Sequence, residues 1–197
     1  MTGLKLHLLA LTALSVLLSQ TQQLHSFANI GSISEVRGNA QVLRDKPYGA
    51  ELAFNIQQMD DVRTEAGRVA ITFEDDSTVK LTEHSKLVID EYIYDPDPSK
   101  SKMALKFASG TARFITGKFN NKSNISIRTP TADIAIRGTD FTCTVDELGR
   151  SLVILLPDEN GISSGEIIVA TAMGSVTLNK PYQATTVSVY ENNPTKP

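Results

Sequence analysis

Residues Thr129–Phe141 read TPTADIAIRGTDF, and this stretch carries the most specific pattern in the chain. Thr129 and Pro130 predict a turn, because proline fixes its own φ and pushes the preceding residue into an extended conformation. Apolar residues then alternate at Ile134 and Ile136, which is typical of a strand with one buried face. The stretch therefore predicts a turn followed by a half-buried β-strand.

Arg137 ends this apolar strand, where a charge is costly to bury unless it is paired. We expect the forked donors of its guanidinium group to form hydrogen bonds with a nearby carboxylate, and Asp133, Asp140 and Asp61 are the candidates. A buried pair predicts that Arg137→Ala lowers stability by about 3–5 kcal/mol. The alternative is an exposed fork that binds a carboxylate of a partner.

The residues after Arg137 predict a bend and a new strand. Gly138 permits a bend or bulge, and Thr139 restarts the strand. Phe141 and Cys143 alternate with polar residues in the run FTCTV, so we expect Cys143 to be a small buried apolar residue.

Similar short alternating runs fill the chain on both sides of this stretch. Val69, Ile71 and Phe73 alternate with small or polar residues, and clusters of Asp, Asn, Gly and Pro separate the runs. Strands of about five to eight residues at roughly ten-residue intervals are typical of sandwiches, barrels and solenoids. We predict an all-β fold of many short strands, in a β-solenoid-like or twisted sandwich core.

A near-repeat links two parts of the chain. VRTEAGRVAIT at residues 62–72 aligns without a gap on IRTPTADIAIR at residues 127–137. We expect the two segments to build related layers of one β-structure.

Residues 1–28 have the parts of a secretory signal peptide: Lys5, the apolar run Leu8–Leu18 and a polar stretch that ends at Ala28. The run is too short to span a membrane, which takes about 20 residues. We expect a signal-peptide helix at 1–28 that is cleaved, a β domain at 29–180, and a terminal strand with a short tail at 181–197.

Composition argues against several functions. Asp and Glu number 22 against 19 Lys and Arg, for a formal net charge of −3, so we expect no nucleic-acid binding. Cys143 is the single cysteine, which excludes an intramolecular disulfide and a CxxC zinc or redox motif. We expect no cofactor and no metal; the acidic turns Glu74–Asp76 and Asp95–Asp97 are each short of the six to eight ligands that calcium takes.

The stretch Thr129–Phe141 resembles the signature of FecR-type periplasmic domains, in which a Thr-Pro turn leads to an apolar strand, Arg-Gly-Thr and an aromatic residue. Other segments of the chain are similar to further elements of this family: Val36-Arg37-Gly38, Asp61–Thr64, Phe73–Leu81, Leu81–Ile89 and Gly110–Gly117. The resemblance spans roughly residues 33–180. Two positions depart from it, because Asp60 and Asp76 stand where the family has glycine, and we expect these turns to differ in type.

The resemblance implies a sensing or protein-interaction role in the cell envelope. Familiar members are transmembrane anti-sigma regulators, whereas we expect this chain to be a stand-alone exported protein, periplasmic or secreted, without the anti-sigma and transmembrane segments. Its expected partner is an envelope protein, bound through strand edges and loops. The alternative is a module that binds cell-wall or exported polysaccharide.

Tyr92 and Tyr94 are the candidate partner-binding side chains, because two strand positions of the same parity share one face. Packing across a sheet would also explain them, and the glycan alternative predicts an exposed groove lined by both. His84 and Ser85 are adjacent and should point to opposite faces, which argues against a catalytic pair. We therefore expect that the protein is not an enzyme.

Overall fold

The computed structural model describes residues 28–118, 124–189 and 193–197, and these residues form β-strands, turns and loops with no helix. The predicted signal-peptide helix lies outside the described residues, apart from Ala28. None of the described residues forms a helix long and apolar enough to span a membrane. The strands are β1 (Asn29–Arg37), β2 (Ala40–Leu43), β3 (Pro47–Gly49), β4 (Asn55–Gln57), β5 (Asp61–Thr64), β6 (Arg68–Phe73), β7 (Thr78–Leu81), β8 (Lys86–Ile93), β9 (Lys102–Ile115), β10 (Asn124–Arg128), β11 (Asp133–Arg137), β12 (Asp140–Val145), β13 (Ser151–Leu155), β14 (Glu166–Thr171), β15 (Gly174–Leu178) and β16 (Ala184–Val187).

The sixteen strands form one mixed sheet whose two parts share β9. One part, the first layer, has the order β4-β1-β6-β7-β9-β12-β13-β16. The other part, the second layer, has the order β3-β2-β5-β8-β9-β10-β11-β14-β15. The β9–β10 pair is parallel and the other pairs are antiparallel. The all-β prediction is confirmed.

Strand β9 changes layer at Gly110. Residues up to Ser109 pair with β8, and residues from Gly110 onward pair with β12. Gly110 has φ +94°, and a Cβ there would lie 2.5 Å from the Cα of Ser85. A side chain is therefore excluded where the strand bends.

Inward-facing side chains of both layers build one hydrophobic core. The rings of Phe107 and Phe114, one from each half of β9, meet edge to face, and Phe114 stacks on Phe141. Cys143 is fully buried in this core, as predicted, and burial raises the pKa of its thiol to about 12. The thiol is thus protonated at neutral pH.

Each copy of the near-repeat forms a strand, a turn and a second strand, but the strands pair differently in the two copies. Strands β10 and β11 form a hairpin within the second layer. Strands β5 and β6 do not pair, because β5 belongs to the second layer and β6 to the first. The prediction of related layers is wrong, since each segment's neighbours, rather than its own residues, determine its pairing.

The two acidic residues at expected glycine positions take different conformations. Asp76 has φ +66°, so this turn keeps a left-handed residue, which aspartate tolerates better than most residues. At the other turn Met59 is left-handed, with φ +71°, and Asp60 is fully buried. The Asp60 carboxylate accepts two hydrogen bonds from Arg44, at 2.7 and 2.8 Å, and one from the Gln57 amide.

A second buried carboxylate joins the two layers. Asp75, in the β6–β7 turn, accepts a hydrogen bond from the Tyr92 hydroxyl at 3.0 Å and one from the Ser77 hydroxyl. The Asp75 amide donates to the Tyr92 oxygen at 3.1 Å. The Tyr92 ring stacks on Phe73. Burial and the nearby charge of Asp75 raise the pKa of the Tyr92 phenol well above its usual range.

Tyr92→Phe should lower stability at neutral pH by about 1–3 kcal/mol, because the buried Asp75 carboxylate loses a donor. The raised pKa keeps the phenol neutral in the folded state, whereas the unfolded chain ionises it near pH 10. The stability that Tyr92 contributes is therefore present below about pH 10 and is lost as the pH rises further. Urea unfolding of both proteins between pH 7 and 11 tests this. The difference should shrink above pH 10, and a constant difference would contradict the assignment.

Candidate functional site

The Thr-Pro turn of the β10–β11 hairpin is held by hydroxyl groups. The Thr129 amide donates to the Ala132 carbonyl at 2.9 Å, and the Thr129 hydroxyl oxygen accepts from the Ala132 amide at 3.0 Å. Pro130 lies at the exposed tip of this turn. The turn forms where Thr129 and Pro130 predict it.

The same hydroxyls attach the hairpin to the first layer. Ser151, the fully buried first residue of β13, donates to Thr129 Oγ1 at 2.8 Å. Its hydroxyl also lies 2.7 Å from that of Thr131, which donates to the Gly149 carbonyl. We call Thr129, Thr131 and Ser151 the hydroxyl cluster. It fixes the inner side of the hairpin tip and leaves the outer side accessible.

The outer side of the tip forms one wall of a groove of about 480 Å³. The β14–β15 turn and residues 188–189 form the other walls. Met173 and Val189 are 65% and 55% exposed there. Arg128 and Asp133, paired at 2.8 Å, carry the only formal charges among the lining side chains that the structure describes. The groove is open, partly apolar and electrically neutral.

Arg137 is not the buried fork that the sequence predicts. Its side chain is 59% exposed and contacts Glu166 at 3.2 Å. Pairing of β11 with β14 places these two residues opposite each other, which the local sequence does not show. Asp140, an expected partner of Arg137, instead accepts a bidentate pair from Arg113. Because this ion pair is exposed, the expectation that Arg137→Ala costs several kcal/mol is wrong.

The chain bends at Gly138 as predicted, but the strand restarts at Asp140 rather than at Thr139. Gly138 has φ +57° between β11 and β12. Thr139 is buried, and its amide donates to the Thr116 hydroxyl at 2.6 Å. Its own hydroxyl oxygen has no hydrogen-bond partner in the part of the chain that the structure describes. Phe141 is fully buried in the core.

Tyr92 and Tyr94 do not form the exposed aromatic patch that was a candidate for binding. Tyr92 is buried, whereas Tyr94 is 44% exposed and lies beyond the end of β8. A register shift between Ile89 and Glu91 turns the side chains that follow it to the opposite face and brings Tyr92 into the core. Strand β8 ends at Ile93, so Tyr94 follows the last paired residue. The groove expected for a glycan, lined by both rings, is therefore not formed.

The side chains of His84 and Ser85 are separated, although both residues precede β8 rather than lying on a strand. His84 is exposed and left-handed, with φ +55°. Ser85 is buried; its hydroxyl donates to the Thr111 carbonyl at 3.2 Å and accepts from the Thr111 amide. The Ser85 hydroxyl thus stabilises the bend of β9 through these two hydrogen bonds and does not face solvent.

Sequence reasoning missed Met173, Val189 and Ser151. The pattern of two strands around Ala172 and Met173 indicates a two-residue hairpin turn and could have placed Met173 at an exposed tip. Nothing local marks Ser151 or Val189, because both reach the hairpin through the pairing of β13 with β16.

Arg137→Ala should change the free energy of unfolding by at most about 1 kcal/mol, because an exposed ion pair contributes little. Arg44→Ala is the matched comparison: it leaves the fully buried Asp60 carboxylate without its cation and should cost about 3 kcal/mol. Urea unfolding of both variants measures the difference. Equal losses in the two variants would contradict these assignments.

Comparisons with known proteins give one family and one fold. A family model for FecR proteins matches residues 60–158. Two crystal structures of a candidate anti-sigma factor from Parabacteroides distasonis, at 1.65 and 2.50 Å resolution, superpose with a TM-score of 0.54 and 14% identity. The superposition covers 68% of this chain and 57% of the Parabacteroides protein, so this chain spans little more than half of its length. No curated protein matches the chain.

Proposed function

The chain belongs to the FecR protein family, and on that basis we propose that it is a non-catalytic protein-interaction or sensing domain of the cell envelope. In this proposal residues 1–28 are a signal peptide, 29–180 are the FecR-like domain, and 181–197 add the terminal strand and tail. The domain acts after export, in the periplasm or outside the cell. Its partner is another envelope protein.

One observation carries this proposal: the residues of the family signature form a wall of the groove. Thr129 and Thr131 use their hydroxyls inside the protein, on Ser151 and the Gly149 carbonyl. Pro130 and the outer backbone of the turn are left for contact with a partner. The signature therefore supports a binding surface by holding one of its walls in place.

The chemistry of the groove favours a protein segment of low charge. Pro130, Met173 and Val189 offer apolar surface, and the Arg128–Asp133 pair neutralises itself. Hydroxyls and backbone groups of the lining can bind main-chain amides of an extended segment. None of the described lining residues is aromatic, so a sugar ring has no platform there on which to stack.

Contacts of the candidate catalytic groups support a non-catalytic role. The Ser85 hydroxyl is engaged with Thr111, and His84 faces solvent. The thiol of Cys143 is buried and protonated at neutral pH, so it is a poor nucleophile.

A photo-activated crosslinking residue at Val189 tests the proposal in cells that naturally produce the chain. We expect one dominant adduct with an exported protein, because Val189 lines the groove. Leu52 is the matched control: it is 67% exposed and lies between β3 and β4, at the opposite end of the sheet order. Its crosslinker should not form this adduct.

A substitution within the groove provides a second test. Ala172→Arg adds a long cation to an exposed lining position and should remove the Val189 adduct while unfolding stays unchanged. An adduct that persists in this variant, or forms equally at Leu52, would place the contact elsewhere. Recovery of glycan without a stoichiometric protein would overturn the proposal.

A further inference from the structure

Four strands lie at margins of the sheet in the part of the chain that the structure describes. Strands β3, β4, β15 and β16 each pair with a single neighbour. An unprotected edge strand presents free N–H and C=O groups to which another strand can add. The protection of these four edges therefore indicates where the protein can extend its sheet.

Three of the edges are protected. Strands β3 and β4 have three residues each, and β3 begins with Pro47, which has no N–H to donate. Arg44 donates to the Asn55 carbonyl of β4 at 3.0 Å. Strand β16 is covered by Thr195, whose amide donates to the Thr186 carbonyl at 3.1 Å and whose hydroxyl accepts from the Thr186 amide.

Strand β15 has none of these protections. Its five residues, GSVTL, include no charge and no proline. Over the described residues, Ser175, Val176 and Thr177 have no hydrogen-bond partner outside β14. Thr171 and Gly174 close the two-residue turn, and hydrogen-bonded positions alternate from there. The outer edge thus presents the N–H and C=O groups of Ser175 and Thr177.

The side chains of β15 are complementary to those of an inverted copy of the same strand. With a two-fold axis at Val176, Ser175 lies opposite Thr177 of the other copy, and Gly174 lies opposite Leu178. Ser175 and Thr177 are exposed on the outer face, whereas Val176 and Leu178 face the core. Hydroxyl side chains therefore meet hydroxyl side chains, and core-facing positions meet core-facing positions.

Hydrogen bonding and charge agree with this register. Ser175 and Thr177 become hydrogen-bonded pairs, which exchange two bonds on each side of the axis, and Val176 meets its own copy as a non-hydrogen-bonded pair. No ionised side chains face each other, since the nearest cation, Lys180, comes opposite Ala172 of the other copy. A shift by one residue would instead place Val176 against Ser175 and mix the two faces.

We propose that β15 pairs antiparallel with β15 of a second copy of this chain, about a two-fold axis at Val176, and so extends the second layer across a dimer. This contact uses the side of the β14–β15 hairpin. It does not depend on which partner the groove binds, although its register brings Lys180 of the second copy opposite Ala172, which lines the groove.

Cysteine trapping tests both the contact and its register in the purified full chain. Val176→Cys should form an intermolecular disulfide on mild oxidation, because directly opposed residues of a non-hydrogen-bonded pair have Cβ atoms about 4.5–5.5 Å apart. Thr177→Cys is the matched control, since its own copy lies at a diagonal distance of roughly 7–8 Å. The buried Cys143 does not compete.

Sedimentation of the unmodified chain should give the mass of two chains, and Thr177→Pro should give one. Proline at this position removes an outward N–H that β14 does not use, so the thermal unfolding temperature should stay nearly unchanged. A monomeric unmodified chain would overturn the proposal. Equal trapping at positions 176 and 177, or a dimer that survives Thr177→Pro with its fold intact, would do the same.

Discussion

The change of layer within β9 is the constraint on which the rest of the fold depends. One strand of 14 residues supplies pairing partners to β8 and β10 in one layer and to β7 and β12 in the other. The bend requires Gly110 in a left-handed conformation, and Ser85 fills the space that a side chain would take. Because both layers are built on this strand, their buried faces meet in one core.

This constraint also sets the position of the groove. The parallel pairing of β10 with the first half of β9 sets the position of the β10–β11 hairpin, while the second half of β9 leads through β12 to β13. The hydroxyl cluster then joins the hairpin tip to Ser151 at the start of β13. The family signature thus connects the two layers, and the groove lies on the outer side of this connection.

Local patterns in the sequence were sufficient for the alternating strands, the Thr-Pro turn and the burial of Cys143, because alternation and turn residues act within a few positions. The three-residue strands β3 and β4 carry no such pattern. Interactions that depend on strand neighbours were not accessible. Arg137 meets Glu166 only because β11 lies beside β14, and Asp140 meets Arg113 only because β12 lies beside β9. One register shift in β8 turns Tyr92 into the core, and a strict alternation of inward and outward residues cannot predict such a shift. The groove likewise depends on three segments distant in sequence.

Hydrogen–deuterium exchange in Ser151→Ala tests most directly whether the hydroxyl cluster holds the signature hairpin in place. Loss of this buried hydroxyl removes a partner of both Thr129 and Thr131, so amide exchange at Thr131 and Ala132 should become roughly tenfold faster, as for about 1.4 kcal/mol of lost protection. Ser126→Ala, on the outer face of β10, should leave these amides unchanged. Equal exchange in the two variants would contradict the account.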